Sequence, residues 1–514
     1  MAITILENKV MAGYDSINGH NFIEASAMTE IIGRQVEVAT LNEVYNSNEA
    51  EFVALYGRRR IGKTYLVRNF FKSRPGVFFH ATGLKDGSIK DQLSIFAASL
   101  RNTFYSGMAI PSTWMEAFEL LTQASKNFAG DQKIIIFLDE LPWMATARSR
   151  LLQALDYYWN TQWVYESNIK LLICGSAASW MLDNIVNAKG GLHNRLTRKI
   201  NLQPFSLSET KEYLLYRGIK LNNEQILDIY MAIGGVPYYL KELKPGLSAK
   251  QNISKVCFSS CSLLSTEYDN LLSSLFKHSE FHAEILKILA KNIGGINKEE
   301  LASLSNSSVG GRLTKRLDEL ESAGFIKKFI PYGKTVKYVY YKLIDEYTIF
   351  YLKWIVPNKN SLDNSPENII WEQLSLSAGY QAWSGYAFEA VCYKHVASIK
   401  KAMHLERISA RVGNWRYIQK NKGTKQRGTQ IDLIFDRIDK VISLCEIKYC
   451  SADFSFDKKI LQDLQHKQAV FVQENKCDKQ IFWCMITSRP VKRNSYFDEI
   501  VMHNVVLDDL FKTL

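Results

Sequence analysis

The sequence predicts an α/β protein: a parallel sheet with a helical lid, then a winged helix-turn-helix, then a second α/β unit. Three observations predict it. Apolar runs at 50–57, 133–140 and 169–177 each end in glycine or polar residues, the pattern of buried parallel strands. From about residue 200 to 344 the apolar spacing becomes helical and closes on one hairpin. Beyond a polar, proline-marked stretch at 356–368, helix and strand patterns mix again to the end. A chain of 514 residues is long enough for several cores of ordinary size.

Taken in order, residues 1–27 carry no periodic pattern and read as a disordered extension. Residues 28–200 form the core. "IIGRQVEVATLNEVY" has helical spacing, "AEFVALYG" is a short strand, and "KTYLVRNFFK" continues as a helix. "KIIIFLDE" and "IKLLICGSA" supply further strands. Residues 201–270 form the lid, with "SLSETKEYLLYRG" and "NEQILDIYMAIGGVPYYLKEL" as helices. In 271–355, three helices precede the arms "FIKKFI" and "TVKYVYYKLID" around a Pro/Gly turn, the order of a winged helix. Val309, Leu313, Leu317 and Leu320 are its third helix's expected buried face, with Arg312, Lys315 and Arg316 outward. Residues 356–375 read as a linker and 376–514 as the terminal α/β unit.

Composition narrows the function. Hydrophobic residues make up 46%, with no run long enough for a membrane helix and no secretion-signal layout at the amino terminus. A cytoplasmic protein with no membrane partner is expected. The eight cysteines are scattered, several within apolar runs, as reduced core thiols are. Cys257, Cys261, His278 and His282 resemble paired zinc ligands, yet the stretch between them has helical periodicity, so no metal is assigned there. Net charge is +12, and from residue 376 onward 22 Lys and Arg face 15 Asp and Glu. The excess is densest over 400–430, which favours a polyanionic partner, DNA ahead of RNA.

Gly57 to Thr64 reads G-R-R-R-I-G-K-T, the spacing of a phosphate-binding loop between a strand and a helix. Glycines let successive backbone N–H groups turn around phosphate oxygens at the positive end of the helix. The site expected here is Gly57, Arg58, Arg59, Arg60, Ile61, Gly62, Lys63, Thr64 and Tyr65. Lys63 would neutralise phosphate charge and the Thr64 hydroxyl would bind Mg²⁺. Asp139 at the end of "IIIFLD" would hold the same ion's water shell, and Glu140 would polarise the attacking water. Ser176 would sense the terminal phosphate. Arg195, or less strongly Arg198, would act as an arginine finger, and a finger working in trans requires a homo-oligomer.

A second constellation lies in "GTQIDLIFDRIDKVISLCEIKYC". Glu446 and Lys448 are two apart, hence on one face of a strand, and a hairpin brings Asp432 beside them. Two carboxylates can hold Mg²⁺ while a lysine orients or activates water against a phosphodiester. Glu389, on the preceding helix, would add a third metal-proximal carboxylate.

"IIGRQVE", "LYGRRRIGKT", "IIIFLDE", "ICGSA" and "GGVPYYL" together resemble the archaeal-type P-loop ATPases allied to the AAA+ and STAND groups. The resemblance runs from about residue 29 to the end, and many such proteins carry a winged helix and a nuclease-like domain. It implies that Gly33 and Arg34 lie near adenine, that Gly235 and Pro237 belong to the lid, and that Pro237 touches the base. Residues 1–27 match nothing, which makes Met28 an alternative start. Asp432 followed by Glu446-Ile-Lys448 resembles the PD-(D/E)XK nucleases, although Gly428-Thr-Gln-Ile stands where a proline often precedes the aspartate. The expected protein is an ATPase using Mg-ATP to control a DNA-binding or DNA-cleaving domain. A non-cleaving nucleotide-gated regulator and a protein-partnered signalling ATPase are its alternatives.

Overall fold

A computed structural model describes residues 31–129, 132–187, 191–259, 262–334, 338–362, 369–417 and 428–512. The extension 1–27, Met28, Cys261 and the 418–427 part of the basic stretch lie outside these residues. None of the described helices is long and apolar enough to cross a membrane.

The first sheet is all parallel, in the order β2 (Val77–Thr82), β3 (Ile134–Asp139), β4 (Ile169–Gly175), β1 (Glu51–Tyr56), β5 (Arg198–Asn201). Strands β3 and β4 are buried along their whole length, as their unbroken apolar runs predict. Separate apolar cores cover the two faces. One contains Phe96, Trp114 and Trp159, the other Leu66, Phe70 and Phe137. One strand, β4, separates β1 from β3, so the carboxyl ends of all three open on one edge.

Helices Leu207–Tyr216, Asn223–Ile233 and Pro237–Leu240 follow the sheet. Then come Ser279–Lys291, Lys298–Leu304 and Gly311–Ser322, with a three-stranded sheet in the order β6 (Ile296–Asn297), β8 (Tyr340–Leu343), β7 (Ile326–Phe329). Leu313, Leu317 and Leu320 are buried as expected. Val309 is not: it precedes the helix and is 52% exposed. The paired glycines Gly310 and Gly311 delay the helix start, which takes Val309 off its face.

The last sheet runs β15 (Val501–Val506), β13 (Gln480–Thr487), β11 (Val441–Lys448), β10 (Thr429–Arg437), β9 (Ala410–Tyr417). Strands β9 to β11 are antiparallel and β11, β13 and β15 parallel. The short β12 (Phe454–Ser455) and β14 (Val491–Lys492) pair beside it.

The expected linker is largely helical among its described residues. Residues 356–358 form a 3₁₀ turn, and Lys359–Leu362 and Ile369–Leu374 are helices. Trp371, on the last of these, stacks on Phe258 and meets Phe350 edge-on. The proline and polar residues signal chain exposure, but Trp371 and Ile370 pack into the apolar core and anchor the segment. One apolar core therefore runs continuously from Phe205 in the lid to Phe511 near the end. Polar ties reinforce it: His395 Nε2 accepts from the Leu207 amide (3.0 Å), and Asp228 accepts from Tyr449 (3.1 Å).

Candidate functional site

The turn from β1 into helix Lys63–Lys72 is the loop expected from the motif. Its outer glycines have separate reasons. At Gly57 (φ 143°) a Cβ would lie 2.3 Å from the Leu202 carbonyl oxygen, while Gly62 (φ 91°) needs left-handed backbone to start the helix. Lys63, 6% exposed, donates to the carbonyls of Gly57 (2.9 Å) and Arg58 (2.8 Å), so its ammonium lies across the loop. Thr64 Oγ1 donates to Asp139 Oδ2 at 2.8 Å.

Asp139 and Glu140 stand at the end of β3. Burial opposes ionisation of Asp139, but hydrogen bonds from His80, Thr64 and Cys174 outweigh it and hold the carboxyl below its ordinary range. Glu140 has left-handed backbone (φ 51°), which turns its side chain towards β4. There Ser176 donates to Glu140 Oε2 through both its amide (3.1 Å) and its hydroxyl (2.8 Å). Thr64, Asp139, Glu140 and Ser176 thus form one hydrogen-bonded group at the sheet edge, and Lys63 precedes Thr64 on the adjoining loop. A hydroxyl and an ionised carboxylate in contact suit a hard divalent cation such as Mg²⁺.

The three loop arginines diverge. Arg58 is buried and forms an ion pair with Asp345, its guanidinium over the Phe325 ring (5.2 Å). Arg59 stands over Trp143 (5.9 Å). Arg60 pairs with Glu267 at 2.6 Å and covers Tyr238, next to Pro237 at the start of its short helix. Tyr65 is 48% exposed. Arg34, itself buried, donates to the carbonyls of Gln203 (2.6 Å) and Ile61 (3.0 Å), and a Cβ at Gly33 would contact Glu209. Arg34, Gly57, Arg58 and Glu209 line a cavity of about 400 Å³. At Gly235 a Cβ would lie 1.9 Å from the Phe205 carbonyl oxygen. Arg195 is exposed and Arg198 faces Glu43 at 3.8 Å, so neither is drawn into the Lys63–Glu140 group.

Residues 31–243 match a family described as an ATPase domain predominantly from Archaea. This segment is thus similar to an ATPase domain, and the Gly57–Thr64 loop lies within it. Residues 351–460 match a second family, archaeal and bacterial proteins of unknown function, which takes in the helical segment expected as a linker. An uncharacterized protein of Methanocaldococcus jannaschii is 26% identical over 441 residues, 85% of this chain and 91% of its own. Among solved structures, the Walker-type ATPase of Pyrococcus abyssi is 18% identical with a TM-score of 0.45, over 63% of this chain and 96% of its own. The ORC2 protein of Aeropyrum pernix is 15% identical with a TM-score of 0.41, over 65% and 96%.

Away from the ATPase domain, β10 and β11 carry the second constellation. Leu433 pairs with Cys445, so Asp432 falls opposite Glu446 one step along, with Lys448 on the same face of β11. A register shift against β9 at Ile431/Ile434 breaks the ladder beside Asp432. Asp432 accepts from the Ile447 amide (3.0 Å) and Gln430 (2.9 Å), and burial together with the Glu389 charge pushes its carboxyl up. Glu446 is bracketed by Lys448 (2.6 Å) and Lys467 (2.8 Å). Burial works against the Lys448 charge, but Glu446 overrides it and raises the ammonium, so this lysine stays protonated.

The expected trio of metal-binding carboxylates is not brought together. Glu389 shares a cavity with Asp432, but Lys342 of β8 binds it at 2.6 Å. No three carboxylate, histidine or cysteine side chains converge as a metal cage among the described residues. Buried Cys257 packs in the lid core, and His282 bonds to Glu319 at 2.8 Å. Sequence reasoning missed His80, Lys342, Asp345 and Lys467. Their site partners Asp139, Glu389, Arg58 and Glu446 lie on other elements, beyond the reach of a local pattern.

Proposed function

We propose that the chain is a Mg-ATP-dependent switch whose ATPase domain controls a nucleic-acid-engaging C-terminal domain. The observation that carries this is the hydrogen-bonded Thr64–Asp139–Glu140–Ser176 group at one sheet edge, with the Lys63 ammonium held by the carbonyls of the adjoining loop. Thr64 and Asp139 would hold Mg²⁺, which supplies charge neutralisation to the phosphates. Lys63 moves from the loop carbonyls onto phosphate, and Gly33, Arg34 and Pro237 frame the base. Ser176 exchanges Glu140 for the terminal phosphate, which frees the Glu140 carboxylate to accept a proton from water. Glu140→Gln is expected to lower turnover by about 10²–10⁴-fold while ATP affinity is kept, measured by phosphate release and calorimetry. Unchanged turnover would remove Glu140 from the reaction.

Arg58 is the proposed coupler. Its ion pair reaches Asp345, which caps helix Glu346–Phe350, and the next residue, Glu346, bonds to Lys394 at 2.6 Å. Movement of the loop on nucleotide binding is thereby passed to the C-terminal domain. The three helices before β7 and β8 support the winged-helix reading. Helix Gly311–Ser322 packs against Ala178–Met181 of the ATPase domain, which favours a scaffold over a groove-reading helix. Exposed Arg195 suits an arginine finger offered to a neighbouring subunit.

In the C-terminal domain, Asp432 and Glu446 suit a Mg²⁺ that keeps most of its water, since one or two carboxylates suffice for that ion. A protonated Lys448 would neutralise the scissile phosphate. Lys448→Ala is expected to abolish Mg²⁺-dependent cleavage of labelled DNA with ATP binding intact. The two-lysine bracket on Glu446 favours a second reading, a domain that grips nucleic acid without cutting it. On that reading the unaltered protein binds but never cleaves. ATP turnover indifferent to DNA and RNA would instead indicate a protein-partnered signalling ATPase.

A further inference from the structure

A cavity of about 730 Å³ lies between the β7–β8 arms and the C-terminal sheet. One wall holds Phe329 and Tyr340, with ring centroids 5.9 Å apart, and ends at Tyr338, 53% exposed. The other is helix Ala378–Lys394, where Tyr386 and Glu389 are three residues apart and so share a face. Tyr386 is 45% exposed, whereas Glu389 is held down by Lys342. Asp432 lines the same space. Lys334 and Arg416 add exposed positive charge to its lining.

Two half-exposed tyrosine rings, exposed cations of which Lys334 lies over the Tyr338 ring (5.6 Å), and a carboxylate with its charge already matched form a consistent chemistry. A duplex keeps its base faces stacked inside and gains nothing from exposed tyrosines, whereas an unpaired strand can lay a base on each. The Lys342–Glu389 pair neutralises one of the lining acids, Glu389, while Glu300 and Asp432 also line the space, and the exposed Lys334 and Arg416 remain within the lining to meet phosphates. We propose that this cavity is the groove for an unpaired nucleic-acid strand. Its bases stack on Tyr338 and Tyr386, Lys334 and Arg416 hold its phosphates, and its backbone is led towards Asp432. This rests on the reading that the C-terminal domain engages nucleic acid, and adds the strandedness of its substrate.

The test is fluorescence anisotropy of the full chain with labelled oligo-thymidylate, oligo-uridylate and a DNA duplex. Both single strands are expected to bind more tightly than the duplex. Tyr338→Ala and Tyr386→Ala should each weaken single-strand binding about five- to a hundredfold, with thermal unfolding unmoved because both rings are exposed. Arg416→Ala should flatten the salt dependence by about 0.7 in the log–log slope. Equal or tighter duplex binding, or single-strand binding indifferent to both tyrosine changes, would overturn the groove while the nucleic-acid reading stands. Failure to bind any of the three probes would overturn both and leave the aromatic walls to a peptide partner.

Discussion

Lys63→Ala protein is expected to lose ATP turnover altogether and to bind Mg-ATP about 10–100-fold more weakly. The ammonium is the only lysine charge of the loop, and it lies nearly sealed from water between the Gly57 and Arg58 carbonyls. A charge-assisted hydrogen bond contributes about 1.5–3 kcal/mol, so its loss accounts for most of that drop in affinity. Turnover falls further because the same charge offsets what builds on the phosphates during transfer. Calorimetry and phosphate release on the same preparation check both halves. The protein should stay folded, since helix Lys63–Lys72 is fixed by Leu66, Val67, Phe70 and Phe71. Undiminished affinity and turnover would sink the assignment of Lys63.

Asp345→Ala is expected to be the most destabilising of the proposed changes, by about 3–5 kcal/mol in chemical denaturation. Arg58 is 4% exposed, and two of its guanidinium nitrogens, Nε and Nη2, have no hydrogen-bond partner among the described residues. Asp345 is its counter-charge. Burial works against ionising Asp345, but the Arg58 and Lys394 charges override it and keep the carboxyl below its usual range. Removing Asp345 strands a buried cation and also uncaps Thr348, whose amide and hydroxyl it accepts at 3.0 and 2.6 Å. An Arg58→Leu/Asp345→Leu double variant should recover much of the loss, because an apolar pair removes the buried charge with its partner. That stable variant isolates the coupling. It should bind nucleic acid equally with and without ATP, whereas the unaltered protein should not. A double variant that still responds to ATP would show that the signal travels elsewhere.

What the sequence made legible was local. The loop spacing G-x-x-x-x-G-K-T, the apolar runs of β3 and β4, and the two-residue offset of Glu446 and Lys448 each lie within a dozen residues, where periodicity and turn chemistry decide. The facing of Asp432 and Glu446 was legible too, because one short turn joins their strands. Arg58 and Asp345, by contrast, are 287 residues apart, and no local pattern marks either as half of a pair. Arg58 occupies a variable loop position and Asp345 ends the second hairpin arm. Lys342 lies on that same alternating arm, yet it reaches Glu389 and withdraws that carboxylate from the expected trio. Residues 356–375 failed for a different reason. Proline and asparagine signalled a tether, and the few apolar residues among them outweighed that signal only once Phe258 and Phe350 were there to receive Trp371.

The continuous apolar interior from Phe205 to Phe511 has a practical corollary for anyone dissecting this protein. Scissors placed between the ATPase half and the terminal sheet would expose a raw face carrying Phe258, Phe350, Trp354 and Trp383, and the severed piece would clump rather than stand alone. Lid, hairpin and one face of the terminal sheet share that interior, so a thermal scan is expected to show them unfolding in one step.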